Sequence, residues 1–188
     1  MKILYIDAAV KNESRTRMLA DYLASKLDGE IKRVNLEELN LKPLDQKTLE
    51  KRTKLIMAGA FYDEMFDLAK DFKDADIIII SAPHWDLSFP SSLKVYFEHI
   101  NIIDLVFRYN TRNLSESLCN IKKMYYVTTA GGGIYDDSFS YGYIKSLFNN
   151  FYGVSDTNYI KAEGLDLIGA NVDEILNNAK KEIDLLLK

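Results

Sequence analysis

Three short segments hold residue types that suit the binding of a flat, phosphorylated molecule. The first, Ala8-Ala9-Val10-Lys11-Asn12-Glu13-Ser14-Arg15-Thr16, runs into a helical pattern. A helix start offers unpaired N–H groups and the positive end of a dipole to an anion. Ser14 and Thr16 add hydroxyls there, and Arg15 adds positive charge. Taken alone, Ser14 reads better as a plain helix cap. The segment contains no Gly-x-Gly-x-x-Gly and no Gly-Lys-Ser/Thr, so a Rossmann dinucleotide fingerprint and a P-loop are both unsupported.

The second segment, Ser81 to Ser92, holds the sole Trp (Trp85), one of two His (His84) and two of three Pro (Pro83 and Pro90). A rigid loop carrying an indole supplies a stacking surface for a planar ligand. Individually, Trp85 reads as a packing residue and His84 as a surface histidine; the proline frame and the position make the segment suggestive. The third segment is Thr128-Thr129-Ala130-Gly131-Gly132-Gly133-Ile134-Tyr135. Consecutive glycines lose much entropy on ordering. A flexible turn needs only one of them, whereas three fit a backbone that approaches a ligand and offers it N–H groups. A phosphate seat, an aromatic platform and a glycine wall would together suit a flat, phosphorylated ligand such as FMN.

Composition narrows the function classes. The chain has 188 residues, 47% hydrophobic and 28% charged, which predicts a single domain over 1–188 with a substantial core. A net charge of −4 leans against a nucleic-acid partner. Cys119 is the only cysteine, which rules out an intrachain disulfide and a thiolate metal cluster and suits a reducing compartment. No run of about 18 apolar residues is present, and the apolar start is too short for a signal peptide, so a cytoplasmic location without membrane association is expected. The wealth of aromatics, 12 Tyr and 9 Phe against 1 Trp, reads mainly as core filling.

The elements that must position these segments follow from periodicity. Strands are expected at Ile3–Ile6, Ile31–Leu36, Ile77–Ser81, Met124–Thr128 and Val154–Ile160. Helical stripes are expected over Arg15–Leu27, Phe61–Phe72, Leu93–Ile103 (capped by Ser91 or Ser92) and Ile144–Phe151, with a last helix opening on a capping box at Asn171–Glu174. Four isoleucines without alternation at 77–80 predict a strand buried on both faces. Five strands alternating with helices predict a doubly wound, five-stranded parallel sheet in three α/β/α layers. Ligands of such sheets bind beyond the carboxyl ends of the strands, where the three segments would lie.

Pro83-His84-Trp85-Asp86-Leu87-Ser88-Phe89-Pro90-Ser91-Ser92-Leu93-Lys94 resembles the Pro-x-Trp/Tyr-Asn-Phe-x-x-Pro-x-x-Leu-Lys signature of the FMN-dependent NADH-azoreductases, within the flavodoxin-like quinone reductases. Ser14-Arg15-Thr16 is similar to that family's phosphate loop, Phe107-Arg108-Tyr109 to its Phe-x-Tyr segment, and Thr129-Ala130-Gly131-Gly132 to its flavin loop. Phe151-Tyr152-Gly153-Val154 and Ala162-Glu163-Gly164-Leu165 match its C-terminal pattern.

The resemblance implies a flavodoxin-like fold and a homodimer with an FMN at each of two shared sites. It implies that NADH or NADPH and a quinone or azo acceptor take turns on the cofactor. Ser14, Arg15 and Thr16 would hold the phosphate. Pro83, His84, Trp85, Asp86 and Leu87 would wrap the ring system, and Thr129, Ala130, Gly131 and Gly132 would meet its polar rim. Phe107, Tyr109 and Tyr135 would lie on the substrate side. No side-chain acid or base is obligatory, with His84 and Tyr109 the conceivable candidates.

Four departures stand out: Ala8-Ala9 where serine is usual, Asp86 for asparagine, Asn113 to Ser117 in place of a Gly-Pro-x-Gly turn, and a third glycine. They bear on the substrate more than on the cofactor. Two rival readings are a flavodoxin-like electron carrier, which would carry a Thr-rich phosphate loop and a markedly acidic surface, and a non-enzymatic flavin-binding protein.

Overall fold

The computed structural model describes residues 1–188. In chain order the first half comprises β1 (Lys2–Asp7), α1 (Arg15–Ala24), β2 (Glu30–Asn35), α2 (Leu36–Leu39), α3 (Gln46–Met57), α4 (Asp67–Asp74) and β3 (Ile77–Ser81). The second half adds α5 (Ser91–Ile100), β4 (Phe107–Tyr109), β5 (Ser115–Ser117), β6 (Lys123–Thr129), α6 (Tyr141–Asn150), β7 (Thr157–Ala162) and α7 (Val172–Leu186). Five strands form one parallel sheet in the order β2-β1-β3-β6-β7. No helix is long and apolar enough to cross a membrane.

Alternation along the strands divides the core into two layers. Leu4, Ile6, Ile78, Ile80, Met124 and Tyr126 pack against α4, α5 and α6. Ile3, Tyr5, Ile77, Ile79, Tyr125 and Val127 pack against α1 and α7. All four isoleucines of β3 are buried, two on each side, as their unbroken run predicts. The α/β/α layering expected from the sequence is therefore present.

Element boundaries differ from expectation in physically simple ways. Gly153 (φ +69°) turns the chain after α6, so pairing with β6 begins at Thr157 and not at Val154. Helix α5 starts at Ser91 with Pro90 in the cap position, and neither Ser91 nor Ser92 caps it. It ends at Ile100. The stripe from Phe61 opens as a turn, in which the Asp63 carboxylate accepts the Met65 N–H (2.9 Å), and becomes α-helical only at Asp67. Helix α1 ends at Ala24, three residues early. The antiparallel hairpin β4–β5 was not anticipated; Asn110 Oδ1 shapes its turn by accepting from the Arg112 and Leu114 N–H groups, and Asn113 takes φ +58°.

One ion pair organises the loop that leaves β1. Asp7, at the carboxyl end of that strand, is buried and accepts from Arg17 Nε at 2.5 Å and from the Ala9 N–H at 3.0 Å. The same guanidinium donates to the carbonyls of Lys11 (2.8 Å), Asn12 (3.0 Å) and Ala9. Arg17 thus gathers three carbonyls of a loop with no secondary structure of its own. Breaking a buried pair leaves an uncompensated charge, at a cost of about 3–5 kcal/mol. Arg17→Met should therefore destabilise the protein by about that much in denaturant titration. A loss below about 1 kcal/mol would class the contact with ordinary surface pairs and refute its structural role.

Candidate functional site

Strand β1 lies between β2 and β3, so the connection from β1 to β2 steps one way along the sheet and the next runs back past β1 to β3, which makes the switch point where such folds form a crevice. A cleft of about 310 Å³ opens there, over the carboxyl ends of the central strands. All three segments singled out from the sequence reach it. Its lining includes Ser14, Arg15 and Thr16 from the first, Pro83, His84 and Trp85 from the second, and Thr129 and Gly131 from the third.

In the first loop Ser14 is the helix cap, its Oγ accepting the Arg17 N–H at 3.2 Å. The N–H groups of Arg15 and Thr16 keep no intrahelical acceptor, as at any helix start. Thr16 is buried, and its Oγ1 lies 2.6 Å from Thr129 Oγ1, which ties the first loop to the third. Arg15 reaches across the cleft to Asp166 (2.8 Å) and to the Leu165 carbonyl (3.3 Å). Ala8 and Ala9, which replace the usual serine, are buried; the Ala8 N–H donates to the Ser81 carbonyl at 2.8 Å.

The second loop continues β3 along β6 through the His84 N–H, which donates to the Thr129 carbonyl at 3.0 Å. Trp85 and Ser88 then exchange two backbone hydrogen bonds, of 3.0 and 2.7 Å, around Asp86 (φ +49°) and Leu87 (φ +67°). Two adjacent left-handed residues make a type I′ turn, where Asn and Asp are tolerated and a leucine pays about 1–2 kcal/mol. Asp86 in place of asparagine therefore keeps the turn while adding a charge. The turn holds Trp85 at the surface, 41% exposed as a residue, so the indole is available for stacking. The Ser88 hydroxyl donates to the Phe139 carbonyl (2.7 Å) and anchors the turn from the far side.

His84 Nδ1 is buried without a protein partner. Burial pushes the imidazole below its usual 6.5, against the opposing pull of the Asp137 and Glu163 carboxylates. A lowered value makes the neutral form dominant at pH 7, which suits a hydrogen-bonding partner better than a ready proton donor.

The third loop is laced to the segment after β7. The Asp166 N–H donates to the Gly131 carbonyl (2.9 Å) and the Gly164 N–H to the Gly132 carbonyl (2.8 Å). Glu163 accepts the Ile134 N–H at 2.8 Å and is itself held by Lys161 at 3.1 Å. That N–H, chiefly, lowers the Glu163 carboxyl below the usual range. None of the three glycines takes a left-handed φ, so turn geometry does not require them. Close approach does at Gly131, where a Cβ would stand 2.2 Å from Asp166 Oδ2; at Gly132 nothing lies within 4 Å, which leaves that edge open.

Not every expected residue reaches the cleft. Asp86, Leu87, Ala130 and Gly132 belong to its loops but lie outside its lining. Phe107 is 8% exposed and packs edge-on against Tyr109 (5.7 Å) and Phe151 (4.9 Å), as a core residue of the hairpin. Tyr109 and Tyr135 are exposed, the latter at 95%, and neither lines the cleft of its own chain. Residues that sequence reasoning missed include Val10, Lys11, Glu13 and Asp166 in the lining, and Arg17 and Glu163 behind it. Glu163 lies within the Ala162-Glu163-Gly164-Leu165 motif, but Asp166 carries no local signal, since its partner Arg15 lies 151 positions away. An exposed indole, unpaired helix-start N–H groups beside Arg15, an open glycine edge and an unpartnered imidazole nitrogen fit a planar, phosphorylated cofactor.

The lowered His84 value gives a pH signature. The unfolded chain takes up a proton near pH 6.5 while the folded one resists, so this residue's contribution falls as pH drops from about 6.5 toward the folded value. His84→Asn should flatten that limb of the stability–pH curve and leave the plateau above pH 7 unchanged in shape. Identical limbs in the two proteins would show that the histidine titrates normally.

The chain matches known proteins over nearly its whole length. The profile of a family described by its flavodoxin-like fold matches residues 1–187. The chain is 30% identical over 197 residues to an FMN-dependent NADH:quinone oxidoreductase of Clostridium perfringens, covering 100% of this chain and 98% of that protein. It is 32% identical over 189 residues to FMN-dependent NADH:quinone oxidoreductase 2 of Clostridium acetobutylicum, covering 94% and 93%. A Bacillus anthracis FMN-dependent NADH-azoreductase solved in complex with FMN superposes with a TM-score of 0.82 at 23% identity, over 99% of this chain and 97% of that one. The chain belongs to the flavodoxin-like family, and within it to the FMN-dependent NADH:quinone oxidoreductases.

Proposed function

We propose that this protein is an FMN-dependent NAD(P)H oxidoreductase that reduces quinones or azo compounds, acting as one domain over 1–188. The observation that carries the reading is the convergence of the three loops on one cleft, with an exposed Trp85 plate beside the start of α1. Bound FMN would supply the chemistry, accepting a hydride from the nicotinamide and passing it to the acceptor in a second half-reaction.

The chain's own part is binding and orientation. The N–H groups of Arg15 and Thr16, the Ser14 hydroxyl and the Arg15 guanidinium form the phosphate seat. Trp85 supports the ring system, with Pro83 and His84 at its edge and Asp86 and Leu87 in the turn that fixes the indole. Thr129 and Gly131, from the cleft lining, face the polar rim, with Gly132 at the open edge beside them and Ala130 buried behind. His84, kept neutral, orients by hydrogen bonding while protons come from solvent.

Leu87, Tyr135, Phe139, Leu167 and Ile168 are exposed apolar side chains on loops at this same edge. Such a concentration of exposed apolar groups favours a protein interface. It supports a homodimer in which the partner covers the cleft and Tyr109 of one chain serves the site of the other. A cytoplasmic location completes the reading.

The test is a visible spectrum of purified protein after FMN addition and removal of excess, repeated after anaerobic NADH. Retained flavin bands that bleach promptly are expected. Retained bands that neither NADH nor NADPH bleaches would favour an electron carrier, and no retained flavin would refute the reading. Trp85→Ala should weaken FMN binding about five- to 150-fold, the range for loss of one stacked planar base. An unchanged affinity would remove Trp85 from the site.

A further inference from the structure

Asp166 follows β7 by four residues, and its side chain is 64% exposed, so water is freely available to it. It nevertheless turns into the cleft. Oδ1 takes the Arg15 Nη2 proton at 2.8 Å, while Oδ2 occupies the notch left by the missing Gly131 side chain. Arg15 Nη1 donates to the neighbouring Leu165 carbonyl at 3.3 Å, so the guanidinium is committed to this one segment. The backbone of Asp166 is already placed by its N–H bond to the Gly131 carbonyl, so the carboxylate is not needed to hold the loop.

A carboxylate and a phosphate ester are recognised by guanidinium through the same charged hydrogen bonds. The chain therefore carries, in the lining of its own cleft, an anion that competes with a cofactor phosphate for Arg15. We infer that Asp166 is an internal competitor for the flavin phosphate, and that it sets how strongly the site prefers FMN over the unphosphorylated flavin, riboflavin. The inference rests on the proposed seating of the phosphate at the start of α1.

Two consequences have the same sign. Phosphate binding must first displace Asp166 from Arg15. The displaced carboxylate then remains on a short tether near a dianion and repels it. Riboflavin, with no phosphate, meets neither cost. An exposed ion pair is worth little in water, so the effect is a few-fold and not a switch. It also weakens with salt, because the groups are solvent-screened.

The experiment is equilibrium binding of FMN and of riboflavin to flavin-free wild-type protein and to Asp166→Asn and Asp166→Ser, followed by flavin fluorescence at low and high salt. Both variants should bind FMN about two- to fivefold more tightly than wild type at low salt. Their riboflavin affinity should equal that of wild type, and the FMN gap should narrow at high salt. Equal or weaker FMN binding by the variants overturns the inference, as does an equal tightening for both flavins, which would mean a reshaped loop. A wild-type protein that binds neither flavin overturns the FMN reading itself and this inference with it, whereas wild-type binding with no gain in the variants overturns the inference alone.

Discussion

Burial of the central strands on both faces is the constraint from which the rest of the architecture follows. The β3 isoleucines send Ile78 and Ile80 to one layer and Ile77 and Ile79 to the other, so neither face of the sheet's centre can meet water. Helices must then cover both sides, and parallel pairing requires each connection to cross from one end of the sheet to the other. With the faces sealed, backbone groups are free to meet a ligand only at the strand ends. The reversal of direction beside β1 opens one place at that edge where a cleft can form.

The loops around that cleft hold one another. Thr16 is bonded to Thr129, His84 to the carbonyl of the same threonine, and the glycine segment to Glu163, Gly164 and Asp166. The Asp7–Arg17 pair shapes the remaining loop from below. Such mutual bracing organises a binding site before its ligand arrives, which reduces the ordering cost of binding. The one strained position, Leu87 in a left-handed turn, sits at the rim beside Trp85, where strain maintained by surrounding structure commonly has a functional purpose. Cys119 takes no part in any of this; burial pushes its thiol up to about 12, leaving it unreactive at neutral pH.

The charge pattern around the cleft is mixed. Arg15 and the start of α1 favour an anion, while Asp166 from the opposite side offers one already. This balance is invisible in the net charge of −4, a sum over the whole chain. It shows why a global charge can argue about classes of partner but not about a particular site.

The sequence by itself determined the layered α/β architecture, the three loops and their shared edge, because hydrophobic period and turn chemistry are local properties read within a few residues. The unbroken Ile77–Ile80 run, the Ser14 cap and the Asn171 cap were all legible for that reason, although the Glu174 carboxylate accepts from the Asn171 side-chain amide and not from its backbone N–H as a full capping box would. Sequence reading misplaced the start of β7 and the cap of α5, where a turning Gly153 and Pro90 decided the boundary. Only the tertiary structure decided that Arg17 shapes the first loop, that Phe107 is buried while Tyr109 is not, and that Asp166 faces Arg15 across 151 positions. Those facts depend on which strand ends the sheet order brings together. Long-range pairing leaves no trace in the spacing of neighbouring residues.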